Sequence, residues 1–402
     1  MPYRLNTKKP HLLRLILLIS FPSVAAVLIS PALPEISSYF VISNGHAQQV
    51  ITFFLVGYAV GQLIYSPLAN RFGRKPAIYA GIGLYLLASI ICLVAIYLRF
   101  FELLLLARLL MALGAGAGMA ITFTIINDFY YPEQARPVIS YTVLAYAFMP
   151  AIAIALGGFI TSHLSWIDCF YAYLIYSIMV LLVSINLPET SLLKDKQPLK
   201  IISLANSYWH GFTNQRLVLF SCIYGLMTAF IYIIASGGPF IGVNEIGLTA
   251  SDYGLVLMIP YCGQFVGALL SGYISKHQSA YQVMLSGYVS VAVGSVMMLL
   301  AFSLSWVNTL SLMAPMFFIM LGLPMTYSSA TALAMSHYKD IATGSAVMSF
   351  ITMTIALLGM LIFSLLPSTD PLIMPACFVV ILLLATLVFW RGYHRFGQPS
   401  SG

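Results

Sequence analysis

Apolar residues run along this chain in long blocks separated by short polar turns. Blocks of about 20 residues or more recur near 12–39, 47–69, 76–97, 101–127, 137–161, 166–186, 216–240, 252–275, 279–303, 307–335, 343–366 and 371–391. Each is long enough to cross roughly 30 Å of hydrocarbon as a helix, so the pattern predicts twelve membrane-spanning helices. A lipid-exposed barrel would instead show ten-residue alternation, and these blocks are continuous and helical in length. The longest polar connection, from Leu187-Pro188-Glu189-Thr190 to about Arg216, divides the set into six and six. The expected domains are an N-terminal six-helix bundle over 1–187, a cytoplasmic linker over 188–215, a C-terminal bundle over 216–396 and a tail over 397–402. Secondary transporters built from two repeated bundles divide in this way, with a substrate site near the midplane.

Composition agrees with a membrane protein: 60% of residues are hydrophobic and 7% charged, with a mean hydropathy of +0.95, outside the range of soluble domains. With the N-terminus cytoplasmic, Arg4, Lys8, Lys9, Arg14, Arg71, Arg74, Lys75, Arg136, Lys194, Lys196, Lys200, Arg216, Lys276, Lys339, Arg391 and Arg395 all fall on the cytoplasmic side. Only Arg99 falls outside and only Arg108 within a helix, a bias that places both termini inside. The net charge of +7 is then topological, and no nucleic-acid partner is implied. The first block is too long for a signal peptide and has no small-residue cleavage site, so it stays as helix one. Five cysteines without CxxC spacing read as packing residues, with no disulfide or metal. There is no phosphate-cradling loop, no HExxH and no deep cluster of titratable groups, so neither an enzyme nor a cofactor is expected.

Between the second and third blocks lies a basic turn, Ser66-Pro67-Leu68-Ala69-Asn70-Arg71-Phe72-Gly73-Arg74-Lys75-Pro76. Gly73 allows a tight turn without a Cβ penalty, and Arg71, Arg74 and Lys75 sit where headgroups and helix C-termini favour positive charge. The turn reads as a topology anchor or as a conformational latch. A faint echo, Gly272-Tyr273-Ile274-Ser275-Lys276-His277, occupies the matching turn of the second half. In the fifth block Pro150, Gly157 and Gly158 would loosen the backbone ladder and let helices approach closely. Arg108 stands about 9 Å along the axis from the middle of the fourth helix, where a charge costs on the order of 3 kcal/mol. Two readings fit it: it faces a cavity or partner, or it extends toward the outer interface.

In order and spacing these residues resemble the major facilitator superfamily, within it the drug:proton antiporter group of twelve-helix exporters, and especially its bicyclomycin/chloramphenicol-resistance branch. The matching residues are Leu68, Arg71, Gly73, Arg74 and Lys75 in the basic turn, Arg108 and Gly114 in helix four, and Met149-Pro150 through Gly157-Gly158 in helix five. Smaller matches are Pro31-Ala32-Leu33-Pro34, Leu187-Pro188-Glu189-Thr190, Gly238-Pro239-Phe240 and Gly344-Ser345-Ala346. The resemblance implies an all-α fold of two pseudo-symmetric six-helix bundles, a monomeric carrier in a bacterial inner membrane, and alternating access. It implies that the basic turn engages an acid at the cytoplasmic end of helix four, here Asp128, and that Arg108 lines the central cavity. The chain departs from the pattern at Ser66, at Asn70, which stands in place of an Asp, at Met111 in place of a Gln, and at Val27, where relatives of that branch carry an Asp.

No Asp or Glu falls near the middle of any predicted helix, which leaves Glu35 and Asp128 as the proton-coupling candidates. Glu35 also reads as an ordinary interfacial residue. A cavity holding Arg108 without a midplane carboxylate should repel lipophilic cations and attract anions. The expected cargo is therefore an anionic or neutral polar molecule, for example a carboxylate metabolite or a siderophore. Multidrug efflux by proton antiport is the alternative, and a membrane receptor or scaffold is the non-transport one. Met111, Met149, Tyr224, Met227, Tyr232 and Tyr261 would furnish an adaptable apolar wall.

Overall fold

The computed structural model describes residues 10–130, 132–190, 201–336, 338, 341–366 and 370–396. In chain order its elements are α1 (Leu12–Val27), a 3₁₀ turn (Ser30–Ala32), α2 (Leu33–Phe40), α3 (Asn44–Phe72), α4 (Arg74–Tyr97), α5 (Phe101–Phe129), α6 (Pro132–His163), α7 (Asp168–Ile185) and α8 (Ile201–Thr213). Then come α9 (Gln215–Pro239), which runs into a π segment (Phe240–Glu245), α10 (Ala250–Val256), α11 (Met258–Ile274), α12 (Ala280–Ser303), α13 (Thr309–Met335), α14 (Ile341–Leu365) and α15 (Ile373–Phe396). Among the described residues eleven stretches are long and apolar enough to cross a membrane. The fifth block supplies α6, 32 residues long with a shorter apolar run at Phe148–His163. Large apolar side chains such as Leu87, Ile90, Ile175, Leu182, Leu383 and Leu387 are exposed, a surface suited to hydrocarbon and costly in water.

Two spans are interrupted and a third changes its winding. The first breaks after Val27, and Pro31 and Pro34 follow at once. Proline lacks an N–H and disfavours the helical region for the residue before it, yet fits the opening turn of a new helix. The seventh passes through Gly237-Gly238-Pro239 into its π segment, and the eighth is divided between α10 and α11.

By contacts the chain forms two compact units. One holds the chain up to Ala32 together with Val50–Ile201, and the other holds Leu33–Gln49 together with the chain from Ile202 onward. The same packing devices recur in the two units, 206 residues apart for the glycines of α3 and α4 and 208 apart for their partners on α5. In the first, Gly57 and Gly61 of α3 lie against the backbone of Leu109 and Leu113 in α5, and Gly81 of α4 faces Gly114 of α5. In the second, Gly263 and Gly267 of α11 lie against Phe317 and Leu321 in α13, and Gly287 of α12 faces Gly322 of α13. A Cβ at these seats would meet a neighbouring backbone, so small residues set how closely the helices pack.

The turns repeat as well. Arg99 after α4 and Ser305 after α12 both take the left-handed conformation, with φ of 52° and 57°. Phe100 N–H then bonds Ala95 O, and Trp306 N–H bonds Ala301 O, each at 2.9 Å, the closure expected of a Schellman cap. The internal repeat, only an echo in the sequence, is carried by glycine seats and turns.

The connection expected as a polar linker contains α8. Gly211 of that helix sits against Val347 and Tyr338, and the Phe212 ring meets Phe350 edge-on at 5.8 Å. Asn214 Oδ1 then accepts from Leu217 N–H at 2.9 Å and starts α9. Lys194, Lys196 and Lys200 lie outside the described side chains.

Candidate functional site

Arg108 lies on α5, two turns from its start, and is fully enclosed at 0% exposure. It neither opens onto water nor extends to an interface in this structure. Its Nη2 donates to the Ala25 carbonyl at 3.0 Å and its Nε to the Val50 carbonyl at 3.3 Å, so one side chain ties α1 and α3 to α5. The guanidinium lies between two rings, 4.6 Å from the centroid of Phe54 and 5.2 Å from that of Tyr173. Met111 Sδ is 4.0 Å from Nη1 and also accepts from Cys92 Sγ at 3.4 Å. Aromatic faces and carbonyl dipoles are the partners that make a buried cation tolerable where no carboxylate is at hand. Val27, the position where an acid was looked for, is buried at the end of α1 with 3% exposure.

Gly157 of α6 meets the same stretch of α1. A Cβ there would fall on the Leu28 carbonyl, so the helix-five glycine is a seat for the break in the first span. Gly158 is buried beside it. α6 remains helical through Pro150, and Met149 and Pro150 are half-buried.

A second cluster forms where α3 turns into α4. Gly73 takes φ of 108°, a conformation open to glycine and strained for other residues. Arg74 Nε meets Asp128 Oδ2 at 3.0 Å, and Arg74 Nη1 donates to Asn70 Oδ1 and to the Ala69 carbonyl, both at 2.8 Å. Asp128 Oδ2 also accepts from Thr190 Oγ1 at 2.7 Å. Glu189 caps α4: its carboxylate accepts from the backbone N–H of Arg74 at 2.9 Å and of Lys75 at 3.1 Å. Lys75 Nζ donates to the Ile185 carbonyl at 2.9 Å, whereas Arg71 is exposed and lies 5.2 Å from the Phe72 ring.

Asn70, Gly73, Arg74 and Asp128 are thus brought together, and Arg71 stands apart. Glu189 and Thr190 were missed as site residues. The signal was the quoted Leu-Pro-Glu-Thr run, an acid just past an apolar block and free to cap a distant helix. Because Asp128 and Arg74 are both partly buried, with 26% and 12% side-chain exposure, Asp128→Asn should cost about 1–3 kcal/mol. Thermal unfolding in detergent would read this. No change in melting would mean that the ion pair adds nothing to the fold.

The remaining wall candidates belong to the second unit. The Tyr224 ring stacks on Tyr327 with centroids 4.3 Å apart, linking α9 to α13. Met227, Tyr232 and Tyr261 are buried, at 0%, 8% and 2% exposure. Glu35 is exposed on α2. Among the described residues no group of three His, Cys, Asp or Glu side chains could hold a metal.

The chain as a whole has relatives among known proteins. Multidrug resistance protein D of Escherichia coli is 24% identical over 333 residues, covering 82% of each chain. The chloramphenicol resistance protein CraA of Acinetobacter baumannii is 24% identical over 277 residues, 68% of this chain and 65% of its own. An uncharacterized transporter of Rickettsia felis is 26% identical over 304 residues, 73% of this chain and 72% of its own. Among solved structures, a D-xylose-proton symporter superposes with a TM-score of 0.77 at 14% identity, covering 94% of this chain and 96% of its own, a likeness of fold. The family model described as Major Facilitator Superfamily matches residues 15–364. The chain is a multi-pass membrane transporter and belongs to the Major Facilitator Superfamily.

Proposed function

We propose that this protein carries small, polar, uncharged organic molecules out of the cell across a bacterial inner membrane by alternating access, with both termini cytoplasmic. The observation that supports this reading is the enclosure of Arg108. Its donors point at the Ala25 and Val50 carbonyls and its two faces at Phe54 and Tyr173. The bidentate edge that would recognise a carboxylate is therefore already engaged. Of the two cargo classes expected from the sequence, the anionic one loses its ligand and the neutral polar one remains. Lipophilic cations gain no attraction either, since no carboxylate is bonded to this group. Export is favoured by the names of two relatives, which describe resistance to several drugs and to chloramphenicol.

Glu35 is the proton-coupling candidate of this reading. It is exposed on α2, whereas Asp128 is engaged by Arg74 and Thr190. Proteoliposomes with an imposed pH gradient should move chloramphenicol faster than a lipophilic cation or an organic anion, and Glu35→Gln should abolish the response to the gradient. Preferential movement of cations would return the carrier to the ordinary drug-exporter class. An unaltered pH response in Glu35→Gln would leave facilitated exchange as the better account.

A further inference from the structure

The first span breaks at one place, and both backbone groups parted by the break are taken up by side chains from other helices. In a continuous helix the N–H of Ile29 would donate to the carbonyl of Ala25, four residues earlier. Here Ile29 N–H donates to Tyr173 Oη at 3.1 Å, and the Ala25 carbonyl accepts from Arg108 Nη2 at 3.0 Å. The two side chains touch, with the guanidinium carbon 5.2 Å from the Tyr173 ring centroid. We infer that Arg108 and Tyr173 form a positioning pair that holds the helix break at Leu28–Ile29 open, making it a hinge on which α2 moves independently of α1.

The second unit supplies an internal control. Leu109 and Phe317 occupy equivalent seats on α5 and α13, so the residue matching Arg108 is Met316. Tyr173 and Phe378 are each the sixth residue of their helices, α7 and α15. Met316 and Phe378 are fully buried, and neither offers a hydroxyl or a guanidinium to a backbone. The step of 208 residues that relates Leu109 to Phe317 also relates Pro31 to Pro239, and it carries Ala25 and Ile29 to Ile233 and Gly237. Both of those lie inside α9, which is helical without a break from Gln215 to Pro239. Where the pair is replaced by apolar residues, the helix runs on.

The position of the break gives it a use. The chain passes from the first unit to the second at Ala32–Leu33, one turn beyond Ile29. α1 therefore packs with one unit and α2, which carries Glu35, with the other. Left alone, a donor and acceptor buried in the same turn would rejoin, because an unmet polar group is expensive away from water. With Arg108 and Tyr173 as alternative partners, the open and closed forms of this turn come near enough in free energy to exchange.

The test uses the full-length protein in lipid nanodiscs, with Cys222, Cys262 and Cys377 replaced by serine and spin labels at Ser38→Cys on α2 and Leu164→Cys beyond α6. Tyr173→Phe removes one hydroxyl and should shift the ratio of the populated label separations by about three- to tenfold, the worth of a single hydrogen bond. Replacing the Ile29 amide by an ester removes the donor that Tyr173 serves, so Tyr173→Phe in that background should shift nothing further. Arg108→Lys should perturb the distribution less than Arg108→Met. If the Arg108 variants fail to fold, the Tyr173 and ester pair still decides. An unchanged distribution in Tyr173→Phe, or an equal shift with and without the ester, overturns the hinge. No cargo is involved, so this outcome is independent of what the carrier moves.

Discussion

Replacing Arg108 with alanine should destabilise the folded protein by about 3–5 kcal/mol, the scale of emptying a large, fully buried side-chain site and leaving buried carbonyls without their donor. Three losses coincide. The Ala25 carbonyl, already outside the helical ladder, loses its donor. The Phe54 and Tyr173 rings lose the cation between them. A side chain with no exposure leaves a void that its neighbours fill only in part. Arg108→Lys should recover a fraction, since an ammonium donates but cannot lie flat between two rings. Unfolding in mild detergent gives the stability, and transport should fall for neutral and charged compounds alike. A stable Arg108→Ala protein that fails only toward anions would make the guanidinium a cargo ligand after all.

Gly157→Val should be the next most damaging change, at about 1–3 kcal/mol or more. The added carbon would fall on the Leu28 carbonyl, a backbone atom held by the rest of the break, so relief requires α6 to move away from α1. Gly83→Ala on α4 is the control, because a Cβ there meets nothing within 4 Å. It should be neutral or stabilising by up to about 1 kcal/mol. Equal melting temperatures for Gly157→Val and the wild type would show that the contact between α1 and α6 is slack.

The helices were legible because hydrocarbon forces every backbone group to bond within its own segment, and long apolar blocks are the direct record of that demand. The departures from straight α-helix were less legible. Pro31 and Pro239 mark two of them, yet one lies in a 3₁₀ turn and the other before a π segment, and proline alone does not say which. α8 was hidden because its length falls short of a span, although Ile201, Leu204, Ala205, Tyr208, Trp209 and Phe212 follow helical spacing.

At the basic turn it was the resemblance that pointed to Asp128 as the acid engaged by the basic residues, and Arg74 is the one that meets it, at 3.0 Å. The sequence could not show Glu189 as the cap of α4. That depends on how α7 returns to the start of α4, which is a matter of packing and not of pattern. Arg108 is the clearest case. Its depth in the helix was readable, whereas its partners are carbonyls, and every residue has one.

The clasp made by Glu189 and Thr190 fixes where the first half of the molecule ends as a polypeptide. Hydropathy ends it at Leu187. Yet a chain stopped there would leave the backbone amides of Arg74 and Lys75 without their carboxylate and Asp128 with one partner fewer. Stopped after Thr190, it keeps both. When the gene is divided into two co-expressed fragments, when halves are exchanged between carriers, or when a reporter is inserted, the useful joint therefore lies beyond Thr190.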